Sequence, residues 1–91
     1  MATIQSIRQK VIDRDYVLSS HALDEMRADD LDREDVENTI LRGRIEKKLL
    51  LDPRGTRYRI VGPSLDGRSV TVICRIRSDR NLAIITVYAT S

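Results

Sequence analysis

Ninety-one residues, 41% hydrophobic and 33% charged, suit one small globular unit and exclude a chain with two separate cores. Phe and Trp are absent and Tyr occurs three times, so the core must be built from Ile, Leu and Val, and an aromatic platform for stacked bases is not expected. The net charge of +2 points to no partner by itself, but the charges are segregated, with Asp and Glu gathered in residues 24–37 and Arg in residues 54–80.

Residues 3–14 predict an amphipathic helix, because Ile4, Ile7, Val11 and Ile12 fall on one stripe of a 3.6-residue period and Thr3 suits an N-cap. Tyr16-Val17-Leu18 is a short extended run, either a strand or a linker. Ser20 can cap a second helix, with Asp24 and Glu25 in the first turn, where the helix dipole favours acids. Ala22, Leu23 and Met26 form its apolar side, and Asp29-Asp30 ends it. A third helix has Asp32 as N-cap, Glu34 and Asp35 in its first turn, and Leu31 with Val36 as a hydrophobic staple. Val36 and Ile40 face inward, and Gly43 is expected as a left-handed residue just past the helix end.

Residues 44–51 then predict a strand, and Asp52-Pro53-Arg54-Gly55 a turn. Three runs rich in β-branched residues follow at 56–62, 68–77 and 81–88. Asp66-Gly67 lies between the first two, and that dipeptide between apolar runs is a strong hairpin signal. An antiparallel meander results, and alternate residues point to opposite faces. Tyr58, Ile60, Val70, Val72, Cys74, Ile76, Ala83, Ile85 and Val87 make the apolar face, which is the expected core. The other face carries Arg57, Arg59, Val61, Thr71, Ile73, Arg75, Arg77, Ile84, Thr86 and Tyr88. It is either a solvated back or a concave anion-binding surface. The expected architecture is α+β, a single domain over residues 1–91 with N-terminal helices packed on one face of a four-stranded antiparallel sheet.

Cys74 is the only cysteine, so no intrachain disulfide forms, and a core-facing strand position suits a small buried thiol. The N-terminus lacks a charged segment followed by an apolar one, and no run approaches the ~18 apolar residues of a membrane span. A cytoplasmic protein with no membrane association is expected. One His and no Cys cluster make no recognisable metal-ligand set, and no phosphate-cradling glycine loop is present, so no metal and no cofactor is expected.

Several short motifs carry a resemblance over roughly residues 17–89. Ser20-His21-Ala22 opens a helix that reaches Met26-Arg27, and a later helix ends at Arg42-Gly43-Arg44-Ile45-Glu46. The Arg57-Tyr58 pair, the Asp66-Gly67 turn and a closing strand ending Thr86-Val87-Tyr88 follow. The chain resembles a family of small bacterial proteins known as a domain of unknown function and grouped with RelE- and BrnT-like toxins of type II toxin–antitoxin modules. That resemblance implies a RelE-like fold, a cognate antitoxin as partner, and RNA or the ribosome as target. It also implies metal-independent RNA cleavage of the mRNA-interferase type, or RNA binding. The chain departs from the better-known toxins in having a histidine at a helix start in place of a lysine-rich catalytic strand.

Metal-free RNA cleavage needs one group to take the 2′-hydroxyl proton and another to protonate the leaving 5′-oxygen. It also needs cations where charge develops on the phosphoryl oxygens. His21, Tyr88 and Arg57 are the candidates for these roles, with the Arg57-Tyr58 pair singled out by the resemblance. Arg59, Arg75 and Arg77 are candidate RNA-binding residues, since the planar guanidinium fork suits phosphate. Two other expectations stand beside this one: a non-catalytic protein-interaction domain of the same fold, and a ParE-like inhibitor that binds a topoisomerase.

Overall fold

The structure, a computed structural model, describes residues 3–49, 55–77 and 81–90. Three helices occur in them, α1 (Ile4–Ile12), α2 (Ser20–Ala28) and α3 (Arg33–Arg42). Five strands accompany them: β1 (Tyr16–Leu18), β2 (Arg44–Leu49), β3 (Arg57–Pro63), β4 (Ser69–Ile76) and β5 (Leu82–Ala89). The α+β class is as expected, but the sheet is five-stranded and mixed, in the order β1-β5-β4-β3-β2, where four antiparallel strands were expected. The difference is the short run at Tyr16, which pairs parallel with β5 from Tyr16↔Leu82 to Leu18↔Ile84. Three residues are too few to show a strand period. What holds them is the buried Tyr16 ring and the outer edge that β5 leaves open.

Thr3 caps α1 as expected, its hydroxyl accepting from the Ser6 N–H. Ile7 and Val11 are fully buried, but Ile12 is 60% exposed, because it lies ~100° round the helix from Val11 and the helix ends there. α2 is capped by Ser19 rather than Ser20: the Ser19 Oγ accepts from the Ala22 N–H at 3.0 Å. That one-residue shift moves Asp24 and Glu25 beyond the first turn, where the dipole has little hold on them. In α3 the Asp35 carboxylate takes the Asp32 N–H at 2.9 Å and the Leu65 N–H of the β3–β4 hairpin at 2.9 Å. Asp35 is therefore buried and joins two elements.

Gly43 is extended (φ −86°, ψ −170°), not left-handed. Its need for glycine is steric. A Cβ on Gly43 would lie 2.4 Å from the Thr39 carbonyl oxygen and 2.5 Å from that of Val61, and one on Gly62 would lie 2.4 Å from the same Thr39 oxygen. The end of α3 thus presses directly on β3. Arg8 completes this seam by donating from Nε to the Ile40 carbonyl at 3.2 Å and from Nη2 to the Gly43 carbonyl at 2.7 Å.

The core lies between the helices and one face of the sheet. Tyr58, Ile60, Val70, Val72, Cys74 and Val87 point into it as read from alternation, against Ile7, Val11, Val36, Ile40 and Met26. Ala83 and Ile85 do not; Leu82 and Ile84 are buried in their place. The cause is a β-bulge, since Ile73 pairs with Thr86 while Cys74 pairs with Ile84, leaving Ile85 as the extra residue. Every side chain of β5 before the bulge sits on the opposite face from strict alternation. The turn read at Asp52-Pro53-Arg54-Gly55 lies, apart from Gly55, outside the described residues. None of the described helices is long and apolar enough to cross a membrane.

Candidate functional site

The face of the sheet away from the core carries cations in rows set by the strand register. Lys47 pairs with Arg59, which pairs with Ile73, which pairs with Thr86. Next to this row, Arg44 pairs with Val61, Val61 with Thr71 and Thr71 with Tyr88. On its other side Arg57 pairs with Leu49, and Arg75 with Ala83. Arg57 precedes Tyr58, which pairs with Cys74, so it falls across from Arg75. Arg59 is partly shielded, with Nη1 3.4 Å from Glu46, the bulged residue of β2. Its Nε is buried and meets no acceptor among the described residues.

Arg57, Arg75 and Arg77 converge on an open cleft of about 350 Å³, floored by Ala83 and Ile85 and closed on one side by Ser19. No acidic residue lines it among the described residues. The bulge shapes this cleft. It presents the Ile84 carbonyl to the Ser19 N–H at 3.0 Å and the Ile85 carbonyl to the Ser19 hydroxyl at 2.8 Å, which plants the N-cap of α2 at the cleft wall. Sequence reading did not single out Ser19, and the one signal for it was its place beside Ser20.

From there α2 runs along the outer edge of β5 beyond the point where β1 stops. Its carboxylates take the place of a neighbouring strand: Glu25 accepts from the Val87 N–H at 3.1 Å and Asp29 from the Ala89 N–H at 2.9 Å. Four residues of helix rise ~6 Å and two residues of strand ~6.6 Å, so an i, i+4 pair of acids matches alternate edge N–H groups. His21 stands four residues before Glu25, its Nε2 3.2 Å from the same Glu25 oxygen that holds Val87. The imidazole is 66% exposed, so it is not a packing residue.

The six expected site residues are therefore brought together only in part. Arg57, Arg75 and Arg77 share the cleft. His21 reaches the β5 edge at Val87, one residue from Tyr88. Tyr88 and Arg57 stand two strands and four residues apart in the register, about 16 Å between Cα atoms at ~4.8 Å per strand and ~3.3 Å per residue. Arg59, at about 12 Å by the same spacings, is the nearer arginine to Tyr88.

Elsewhere the strongly paired groups serve the scaffold. The Ser64 hydroxyl and then Arg68 hold the Asp66 carboxyl below the ordinary carboxylate range. Arg68 is held above its ordinary range, chiefly by Asp66, while its two terminal nitrogens donate to the Asp29 and Asp30 carbonyls at 2.6 and 2.9 Å. Burial raises the Tyr16 phenol, which donates to Glu37, and pushes the Cys74 thiol up to about 12. No group of three or more His, Cys, Asp or Glu among the described residues could hold a metal ion.

Residues 18–89 match the model of a family described as a domain of unknown function, DUF4258, and the chain belongs to that family. No curated protein and no solved structure matches it.

Proposed function

We propose, for this member of a family whose activity is unknown, that the arginine-bearing sheet face binds RNA. We propose further that the chain is the RNA-directed toxin component of a type II toxin–antitoxin module, related to the RelE- and BrnT-like toxins. The supporting observation is the cleft where Arg57, Arg75 and Arg77 converge with no acid in its described lining. Three guanidinium groups lining one cleft concentrate positive charge there, and their planar forks suit phosphate oxygens. The acidic stretch at residues 24–37 lies on the helices, so RNA approaches from the sheet side.

RNA binding is the activity this geometry supports best. For cleavage, His21 and Tyr88 are the acid–base pair, and Arg59 is nearer to Tyr88 than Arg57 is. The test is titration of a short single-stranded RNA across ~50–300 mM salt, where each phosphate contact contributes about −0.7 to the slope of log affinity against log salt. Three contacts give a slope near −2, and Arg57→Ala or Arg75→Ala lowers it by roughly 0.7 each. Salt-insensitive binding, or none at low salt, refutes the reading. Induced expression in a bacterial host, with growth and mRNA integrity followed together, separates a cleaving toxin from an RNA binder. Growth arrest with intact mRNA removes the cleavage assignment.

A further inference from the structure

A second arginine-lined cleft, of about 420 Å³, lies at the far end of the same sheet face, where α3 passes into β2 beside the β3–β4 hairpin. Its side-chain cations are Arg42, Arg44 and Arg68, over a floor that includes Gly62, and no acid lines it among the described residues. Arg44 pairs with Val61 on the outer face of the sheet, and Ser69, across from Pro63, continues that face to the cleft. Both clefts therefore open on one surface.

Arg42 and Arg44 have no structural task that accounts for them. A cation in the last turn of a helix ordinarily serves the exposed carbonyls there, but Arg8 already holds those of Ile40 and Gly43. Both arginines are exposed, and neither has a hydrogen-bond or ion-pair partner among the described residues. Arg68 differs: Asp66 and two backbone carbonyls fix its guanidinium, so it presents a positioned charge. Between the clefts lie Lys47 and Arg59, and the Arg59 Nε is buried without an acceptor among the described residues. A phosphate crossing this row would meet the Arg59 side chain, which is 35% exposed.

We propose that this second cleft holds a further phosphate of the same RNA strand that occupies the first, with Arg42 and Arg44 as its ligands and Arg59 beneath the intervening backbone. The proposal rests on the RNA reading above. The register sets the length. Arg57 and Val61 are four residues apart on β3, about 13 Å at ~3.3 Å per residue, which is the span of roughly four stacked nucleotides at ~3.4 Å each.

The test measures affinity for single-stranded oligoribonucleotides of increasing length, beginning with a dinucleotide. For the unmodified protein affinity should climb until the strand spans both clefts, at about five or six nucleotides, and then level off. The double variant Arg42→Ala/Arg44→Ala should lose tenfold or more on the long strand, keep its dinucleotide affinity within twofold, and lower the long-strand salt slope by ~1.4. A control, Lys10→Ala/Arg27→Ala, removes the same charge from the helix side and should leave the length dependence intact. Equal losses on short and long strands, or a loss no greater than the control's, overturn the second site and leave the first standing. No binding by the unmodified protein at low salt overturns both.

Discussion

Truncating Ile84 to Ala should destabilise the protein far more than truncating Ile85. The two differ because of the β5 bulge: Ile84 is 1% exposed in the core, whereas Ile85 is the extra residue, partly exposed at the cleft floor. Removing a fully buried isoleucine loses its transfer free energy and leaves a cavity that rigid neighbours fill incompletely, together about 2–5 kcal/mol. The neighbours here are Cys74, opposite Ile84 in the register, and the helix side of the core. Trimming Ile85, which keeps its backbone bond to Ser19, should cost roughly 1 kcal/mol or less. For a domain this small each kcal/mol moves Tm by roughly 4–8 °C, so Ile84→Ala should lower it by at least about 8 °C. Circular dichroism melts of both variants measure the difference, and urea titration at constant m confirms that it is stability that changed. An Ile85→Ala variant as unstable as Ile84→Ala, or more so, refutes the bulge. β5 would then alternate strictly, and the cleft built on its outer side before Thr86 would not exist.

Gly62→Ala forces a Cβ to within 2.4 Å of the Thr39 carbonyl oxygen, so α3 must lift from β3; we expect a cost of about 1–3 kcal/mol, read from the same melts. His21→Ala should change stability by no more than about 0.5 kcal/mol, since the ring is 66% exposed, while abolishing toxicity in the expression assay; toxicity that persists at full strength removes His21 from the site. Asp66 has a lowered folded-state pKa, so its contribution is present above the ordinary carboxylate value of ~4 and is lost as pH falls through the lowered one. Asp66→Asn should accordingly reduce the acid-side slope of stability against pH, and an unchanged slope shows that the Ser64–Asp66–Arg68 cluster contributes nothing. Cys74 is raised to about 12, so its contribution is present below ~9 and is lost as pH climbs towards that value. At neutral pH a thiol reagent should label it only through opening of the core, and prompt labelling of the folded protein contradicts its burial.

Much of the scaffold could be read from the chain because periodicity and punctuation agreed there. Thr3, Asp32 and Gly67 mark element ends by local chemistry, and the alternation through Tyr58–Ile60 and Val70–Cys74 follows the true faces. The misreadings arose where tertiary contacts decide. A bulge has no composition signal in a run such as Leu-Ala-Ile-Ile-Thr-Val, in which every residue suits either face. A three-residue strand such as β1 is held by its partner's edge, not by its own propensity. Gly43 looked like a helix stop and is one, but for the close approach of β3, which no local pattern encodes. At the candidate site, Arg57, Arg75 and Arg77 were legible from i, i+2 spacing. Ser19, Lys47 and Arg44 were not, because their membership depends on which strands lie side by side.

The carboxylates of α2 on the edge of β5 limit how this chain can change length. Glu25 and Asp29 meet Val87 and Ala89 only while helix and strand stay in step. One residue inserted between the two acids turns the second by ~100° and frees an edge N–H. The strand would then offer a stretch of open edge to any other chain, the usual start of edge-to-edge aggregation. Relatives that keep this device should therefore lengthen or shorten before the Ser19 cap or beyond Asp29, and the intervening turn of helix should hold its residue count even as its exposed side chains drift.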